Sequence, residues 1–256
     1  MTLPDPKDVL TDLRVALVFF TRLPLPHGAD SDRPFASSLW AAPLAGLVVG
    51  LCGTIAYAIA SGLGVPPAAA AAAALGAMLA ATGCLHEDGL CDTADGLGGG
   101  RTKERKLEIM RDSRIGTFGA SALAVALIAR WSALATLPDA EAVLWALVAA
   151  ECGSRAVLPA FMAFTPAARN DGLAAAVGTV SRDVAGVSVI LGGAALLCLG
   201  VGTALFAAFL LAALAIALRS LVMRLIGGQT GDTVGALQQG AEVIVLMAAS
   251  AAFTAA

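Results

Sequence analysis

Charge and aromatic rings are both scarce in this chain: Asp, Glu, Lys and Arg together make up 14% of its 256 residues, and Phe, Trp and Tyr make up 5%. A soluble domain is nearer a quarter charged, so a fold solvated on all sides is excluded. Cysteine is sparse and unpatterned. Cys52, Cys84, Cys91, Cys152 and Cys198 are odd in number and form no C-x-x-C pair, which argues against a disulfide framework or a structural zinc site. The opening MTLPDPKDVLTDLR is too charged for a signal peptide. What fills the chain instead is small and apolar: 58% of residues are hydrophobic, with Ala, Gly, Leu and Val dominant, and mean hydropathy is +0.83. Small residues let helices approach closely in lipid. The composition predicts an all-α, polytopic membrane bundle, read as a single membrane-embedded domain over residues 1–256. The net charge of −3 says little and gives no reason to expect a nucleic-acid partner; the positions of the charges matter more.

A helix needs about 20 mostly apolar residues to cross a bilayer. Segments near 38–61, 66–85, 115–137, 141–164, 184–200, 203–225 and 234–254 qualify, about seven spans. The Ala-rich second segment is weakly hydrophobic and has to gain stability from neighbouring helices. Residues 8–23 are too short to span and read as an interfacial or re-entrant helix, broken by Pro24 and Pro26. Basic residues fall on every second loop: Arg14, Arg22 and Arg33, then 101–114, then Arg169 and Arg182, then Arg219 and Arg224 near a span end. The positive-inside rule puts those loops in the cytoplasm, with the N-terminus inside and, for seven spans, the C-terminus outside. The charged and glycine-rich pieces 19–26, 86–114, 165–183 and 226–233 then share one side and are expected to converge there.

The densest of these pieces is HEDGLCDTADGLGGGRTKERKLEIMRD at 86–112. If 86–96 continues the second span as a helix, Asp88, Asp92 and Asp95 stand at i, i+4 and i+7, on one face. Close carboxylates repel unless a cation neutralises them. Mg²⁺ suits such a face, since it works with a few carboxylates plus substrate phosphates and water. A solvated helix end with capping acids accounts for one Asp; three on one face followed by a glycine run favour a metal. Glu87 flanks this face, and His86 lies roughly opposite on the wheel. Gly98-Gly99-Gly100 is expected to end the helix and turn N–H groups toward an anion, with a flexible linker as the alternative. Residues 102–112 read as a short amphipathic helix, mostly solvated. Asp112 abuts the next span and is a further carboxylate candidate. Arg101, Arg111 and Arg114 are candidates for phosphate oxygens, although the topology signal alone accounts for them. Arg155 and Glu242 sit inside spans, where charge is costly and usually functional. Asp232, in a second glycine-rich loop at 227–232, is open to either a site role or an N-cap role.

FFTRLPLP at 19–26, APLAG at 42–46, HEDGLCDTADGLGGGR at 86–101, EIMRDSRIGTFG at 108–119, PAARNDGL at 166–173 and GGQTGDTVGA at 227–236 occur in that order. Together they resemble the cobalamin synthase family, the adenosylcobinamide-GDP ribazoletransferases. Cys91 departs from the family pattern, which has a small residue such as Ala there. The resemblance implies a Mg²⁺-dependent, multi-pass catalytic domain of the bacterial inner membrane with its active site facing the cytoplasm. Its reaction joins adenosylcobinamide-GDP to α-ribazole, or to α-ribazole 5′-phosphate, and releases GMP. The implied partners are those small molecules and the lipid bilayer, with room for a homo-oligomer. On this reading Asp88, Asp92 and Asp95 hold Mg²⁺, with Asp112 and Asp232 as further candidates. Glu87 or His86 serves as general base. Arg101, Arg114, Arg169, Gly98 and Gly99 bind substrate.

Two other classes compete. Asp92-Thr-Ala-Asp95-Gly96 looks like the opening of the CDP-alcohol phosphotransferase motif, but the expected Ala-Arg does not follow promptly, and Gly116, not Asp, stands four residues after Asp112. A cation-coupled transporter would use intramembrane charges such as Arg155 and Glu242, but transport sites lie near the bilayer midplane. Here charge gathers at one boundary, and no clear internal repeat appears.

Overall fold

The computed structural model describes residues 6–25 and 34–254; Pro26 and Arg33 fall outside them. The described chain is helical: α1 (Pro6–Phe20), α2 (Phe35–Ser38), α3 (Ala42–Gly62), α4 (Pro67–Thr82), α5 (Leu85–Gly99), α6 (Lys103–Ile109), α7 (Thr117–Ala135), α8 (Ala140–Phe164), α9 (Leu173–Val177), α10 (Arg182–Leu196), α11 (Val201–Leu225) and α12 (Gly231–Thr254). Six helical stretches are long and apolar enough to cross a membrane, and a seventh results if α4 and α5 count as one bent span. The hydropathic segments therefore coincide with the helices to within a few residues.

α8 is the axis of the bundle. It packs against α3, α10 and α12, and two thirds of its apolar window is buried. The α3 contact is close because Gly46 and Gly50, four residues apart, face the α8 backbone. A Cβ on Gly46 would meet the Glu151 carbonyl oxygen at 2.2 Å. This is the small-xxx-small device that lets helix backbones touch in lipid.

α5 departs from the expected continuous helix. It turns away from α4 by 88°. The bend is made by two successive left-handed residues, Gly83 (φ 63°) and Cys84 (φ 59°). Gly83 adopts that conformation without a steric cost, and Leu79 O accepts a hydrogen bond from Cys84 N at 3.1 Å, closing the end of α4. At 16 residues α4 is about 24 Å long, short of a ~30 Å hydrocarbon core. α5 then packs on α7 and α12.

α1 is short and amphipathic, as its length and pattern predict. Its Ala16 and Phe20 are buried, and Asp12 accepts hydrogen bonds from Ser38 Oγ (3.0 Å) and Trp40 Nε1 (2.9 Å).

Candidate active site

The four charged and glycine-rich pieces meet at one end of the bundle. Arg111 pairs with Asp171 at 2.5 Å, and Ala167 bridges Gln229. Phe20 stacks on His86 with ring centroids 5.8 Å apart. A cavity of about 190 Å³ lies there, walled by α1, α5, the segment after α8 and the start of α12. His86, Asp88, Arg169 and Asp232 line it.

Helix α5 carries two faces with opposite fates. On the open face Asp88 is exposed and Asp92 half-buried, and neither has an ion-pair partner among the described residues. Asp88 and Asp232 both act electrostatically on Asp92. Asp232 reaches this neighbourhood because α12 approaches α5 at two glycines: a Cβ on Gly89 would stand 2.8 Å from Asp232 O, and one on Gly235 would stand 3.3 Å from Gly89 Cα. Arg169 lies 3.8 Å from Asp232 and 3.6 Å from Asp171, and its Nη1 is buried with no hydrogen-bond partner.

The other face is closed. Glu87 is buried, and its Oε1 accepts from Arg130 Nη1 at 2.7 Å and from Gln239 Nε2 at 3.1 Å. Arg130 Nε lies 2.7 Å from Glu242, which also accepts from Gln238 Nε2 at 2.9 Å. Glu151 and Arg155 pair on α8 beside them. α5, α7 and α12 are thus tied by a charged network inside the bundle, and Gln238 Nε2 joins it to α8 by donating to Ser154 Oγ at 3.1 Å. Arg155 and Glu242, singled out in the sequence as intramembrane charges, have these partners. Sequence reasoning missed Arg130 and Glu151, although the same signal marked them: a charge in the middle of an apolar run.

Several predicted site residues lie elsewhere than expected. Asp95 is turned into the bundle. Its carboxylate accepts from Gly116 N at 2.7 Å and Gly119 N at 2.9 Å, capping the start of α7. The helical face exists, but tertiary contact claims its third aspartate. Gly98 and Gly99 do not form an anion nest. They are the last residues of α5, where the free backbone groups are carbonyls, and Leu97 O accepts from Lys106 Nζ at 2.5 Å. Glu87 is held by Arg130 rather than facing the cavity. Asp112 binds Arg114 at 2.6 Å; this hydrogen bonding holds the Asp112 carboxyl down at about 2 and occupies the Arg114 guanidinium. Arg101 is exposed and does not line the cavity. Cys91, the departure from the family pattern, is buried as a free thiol on α5. Asp88, Asp92, Asp232, Arg169 and His86 are the predicted residues that the fold brings together.

Among the described residues, no group of three or more His, Cys, Asp or Glu side chains is gathered to hold a metal ion by itself. Mg²⁺ does not require such a cage, since it is commonly shared between one or two carboxylates and substrate phosphates. Unpaired Asp88 and Asp92 near Asp232 are donors of that kind.

Residues 12–250 match the family described as cobalamin-5-phosphate synthase. An adenosylcobinamide-GDP ribazoletransferase of Mesorhizobium japonicum is 52% identical, with 99% of this chain and 100% of the relative covered. One of Bradyrhizobium diazoefficiens is 49% identical over 96% of this chain and 95% of the relative. One of Brucella ovis is 41% identical over 88% and 90%. No solved structure matches.

Proposed function

Because this chain belongs to the cobalamin-5-phosphate synthase family, we infer that it joins adenosylcobinamide-GDP to α-ribazole or its 5′-phosphate and releases GMP. A lipid phosphotransferase and a transporter fall away with that membership. The observation that carries the site assignment is that Asp88, without an ion-pair partner among the described residues, shares one cavity with Arg169 and Asp232, while Asp92 stands beside them on α5. A diphosphate with a bound cation complements both the carboxylates and the guanidinium.

In the proposed reaction a ribose-derived hydroxyl attacks a phosphorus of the diphosphate. A new P–O bond forms as the bridging P–O bond to GMP breaks. Arg169, which lines the cavity, holds a phosphate oxygen through its guanidinium and steadies the charge that grows on the leaving group. His86 takes the proton of the attacking hydroxyl. It lines the cavity, whereas Glu87 is committed to Arg130. Asp88 and Asp92, with Asp232, would hold Mg²⁺, which when bound neutralises the diphosphate. The buried network keeps α5 fixed against α7 and α12, so that Asp88 and Asp92 face Asp232. The alternation of basic loops supports placing this end at the cytoplasmic face of a bacterial inner membrane, where nucleotides are available.

Reconstituted protein given adenosylcobinamide-GDP and α-ribazole tests this reading. GMP and cobalamin are expected to appear together, only with Mg²⁺, and to stop on chelation. Turnover unchanged by chelation would remove the metal from the account. Failure to form GMP in any condition would remove the function.

A further inference from the structure

Away from the active site, α8, α10 and α11 enclose an apolar cavity of about 380 Å³ that the reaction does not use. Its floor is made of the buried small residues Gly153, Ala156 and Gly192. Its rim includes Val189, 47% exposed, and Ile216, 66% exposed. Both belong to membrane-crossing helices, so the groove opens sideways into lipid. Its single charged lining residue is Arg219, at the α8 C-terminal end. Arg219 Nε donates to Phe164 O at 2.9 Å, and its guanidinium has no ion-pair partner among the described residues. Arg182 lies over the Phe164 ring at 5.7 Å, so a second cation stands at the same mouth, also without an ion pair among the described residues.

We propose that this groove binds an anionic phospholipid, with one acyl chain between α10 and α11 and the headgroup phosphate on Arg219 and Arg182. An apolar slot ending in two uncompensated guanidiniums at the membrane boundary complements such a lipid in both shape and charge. A zwitterionic lipid supplies the chain but cancels the phosphate charge within its own headgroup. The site is independent of the transferase reaction.

The test is native mass spectrometry of the full chain in detergent, doped with phosphatidylglycerol or phosphatidylcholine of identical acyl chains. Phosphatidylglycerol is expected to be retained about 10-fold better, the scale of one charge-assisted contact. Arg219→Gln keeps a donor for Phe164 O but removes one of the two charges; it is expected to cut the preference for phosphatidylglycerol several-fold, and Arg219→Lys to restore it. Gly193 lines the groove and a Cβ there meets nothing within 4 Å, so Gly193→Leu adds bulk at the groove wall and is expected to lower retention of both lipids. Equal retention by the unmodified protein would overturn the proposal. So would phosphatidylglycerol binding that survives both Arg219→Gln and Gly193→Leu. A dimer mass lost specifically in Gly193→Leu would also overturn it, by assigning the groove to a second copy of the chain.

Discussion

Glu87 and Asp88 are adjacent residues with the same chemistry and opposite surroundings. Glu87 points into the bundle, where a buried guanidinium holds it. Asp88 points to a cavity and has no ion-pair partner among the described residues. The difference separates two uses of charge in a membrane bundle. Inside, Glu87, Glu151 and Glu242 are matched with Arg130 and Arg155, and the cluster ties helices together. At the end of the bundle, carboxylates are left uncompensated, which a fold tolerates only where a ligand or solvent completes them. A helix turned by 88° from its predecessor allows α5 to serve both regions at once.

The largest expected effect breaks the inner region. Arg130→Ala leaves Glu87 and Glu242 buried without their partner and is expected to cost about 3–5 kcal/mol of stability, read as a lowered melting temperature in detergent. A melt unchanged by the substitution would show that the network is not a brace. On the outer region, Arg169→Ala removes a charged donor and is expected to lower kcat/KM for the diphosphate substrate by roughly 10- to 100-fold, the loss of one hydrogen bond to a charged group, while the melt barely moves. Equal losses in stability and turnover would place Arg169 with the inner network instead.

Asp95 stands between the two regions and sharpens the division. As the cap of α7, Asp95→Ala is expected to cost about 1 kcal/mol of stability. Its effect on turnover should be much smaller than that of the open-face aspartates; a comparable loss would return Asp95 to the metal face. The smallest effect belongs to Arg114, which is exposed and paired with Asp112. Arg114→Ala should leave steady-state turnover unchanged, and a clear fall in kcat would mean that substrate reaches the loop between α6 and α7.

Much of this fold was legible in the sequence because a span announces itself by length and apolarity. The segment read as 141–164 is α8, Ala140–Phe164, and that read as 203–225 is α11, Val201–Leu225. The break before α5 was not legible: Thr82-Gly83-Cys84-Leu85 continues the apolar run, and left-handed Cys84 carries no compositional mark. The gathering of 86–114, 165–183 and 226–233 followed from loop charge. Which aspartates face the cavity did not. Periodicity places residues on a face of their own helix but does not say which neighbour occupies it. Asp95 shares the face of Asp88 and Asp92, yet the start of α7 stands in front of it. Arg130 and Glu151 carry the same mark as Arg155 and Glu242, a lone charge in an apolar run, but that mark does not say which charge meets which. The substrate was legible only through the family likeness, because no spacing of aspartates encodes a corrinoid.

The division between the two faces of α5 is tested most directly by single-turnover GMP release in Asp88→Asn and Asp92→Asn proteins whose melting matches the unmodified chain. Each substitution keeps the side-chain shape and removes a negative charge from the open face. The account predicts a fall in rate on the order of 100-fold or more in both, about 2.7 kcal/mol of lost transition-state stabilisation. Full activity in both proteins would contradict it.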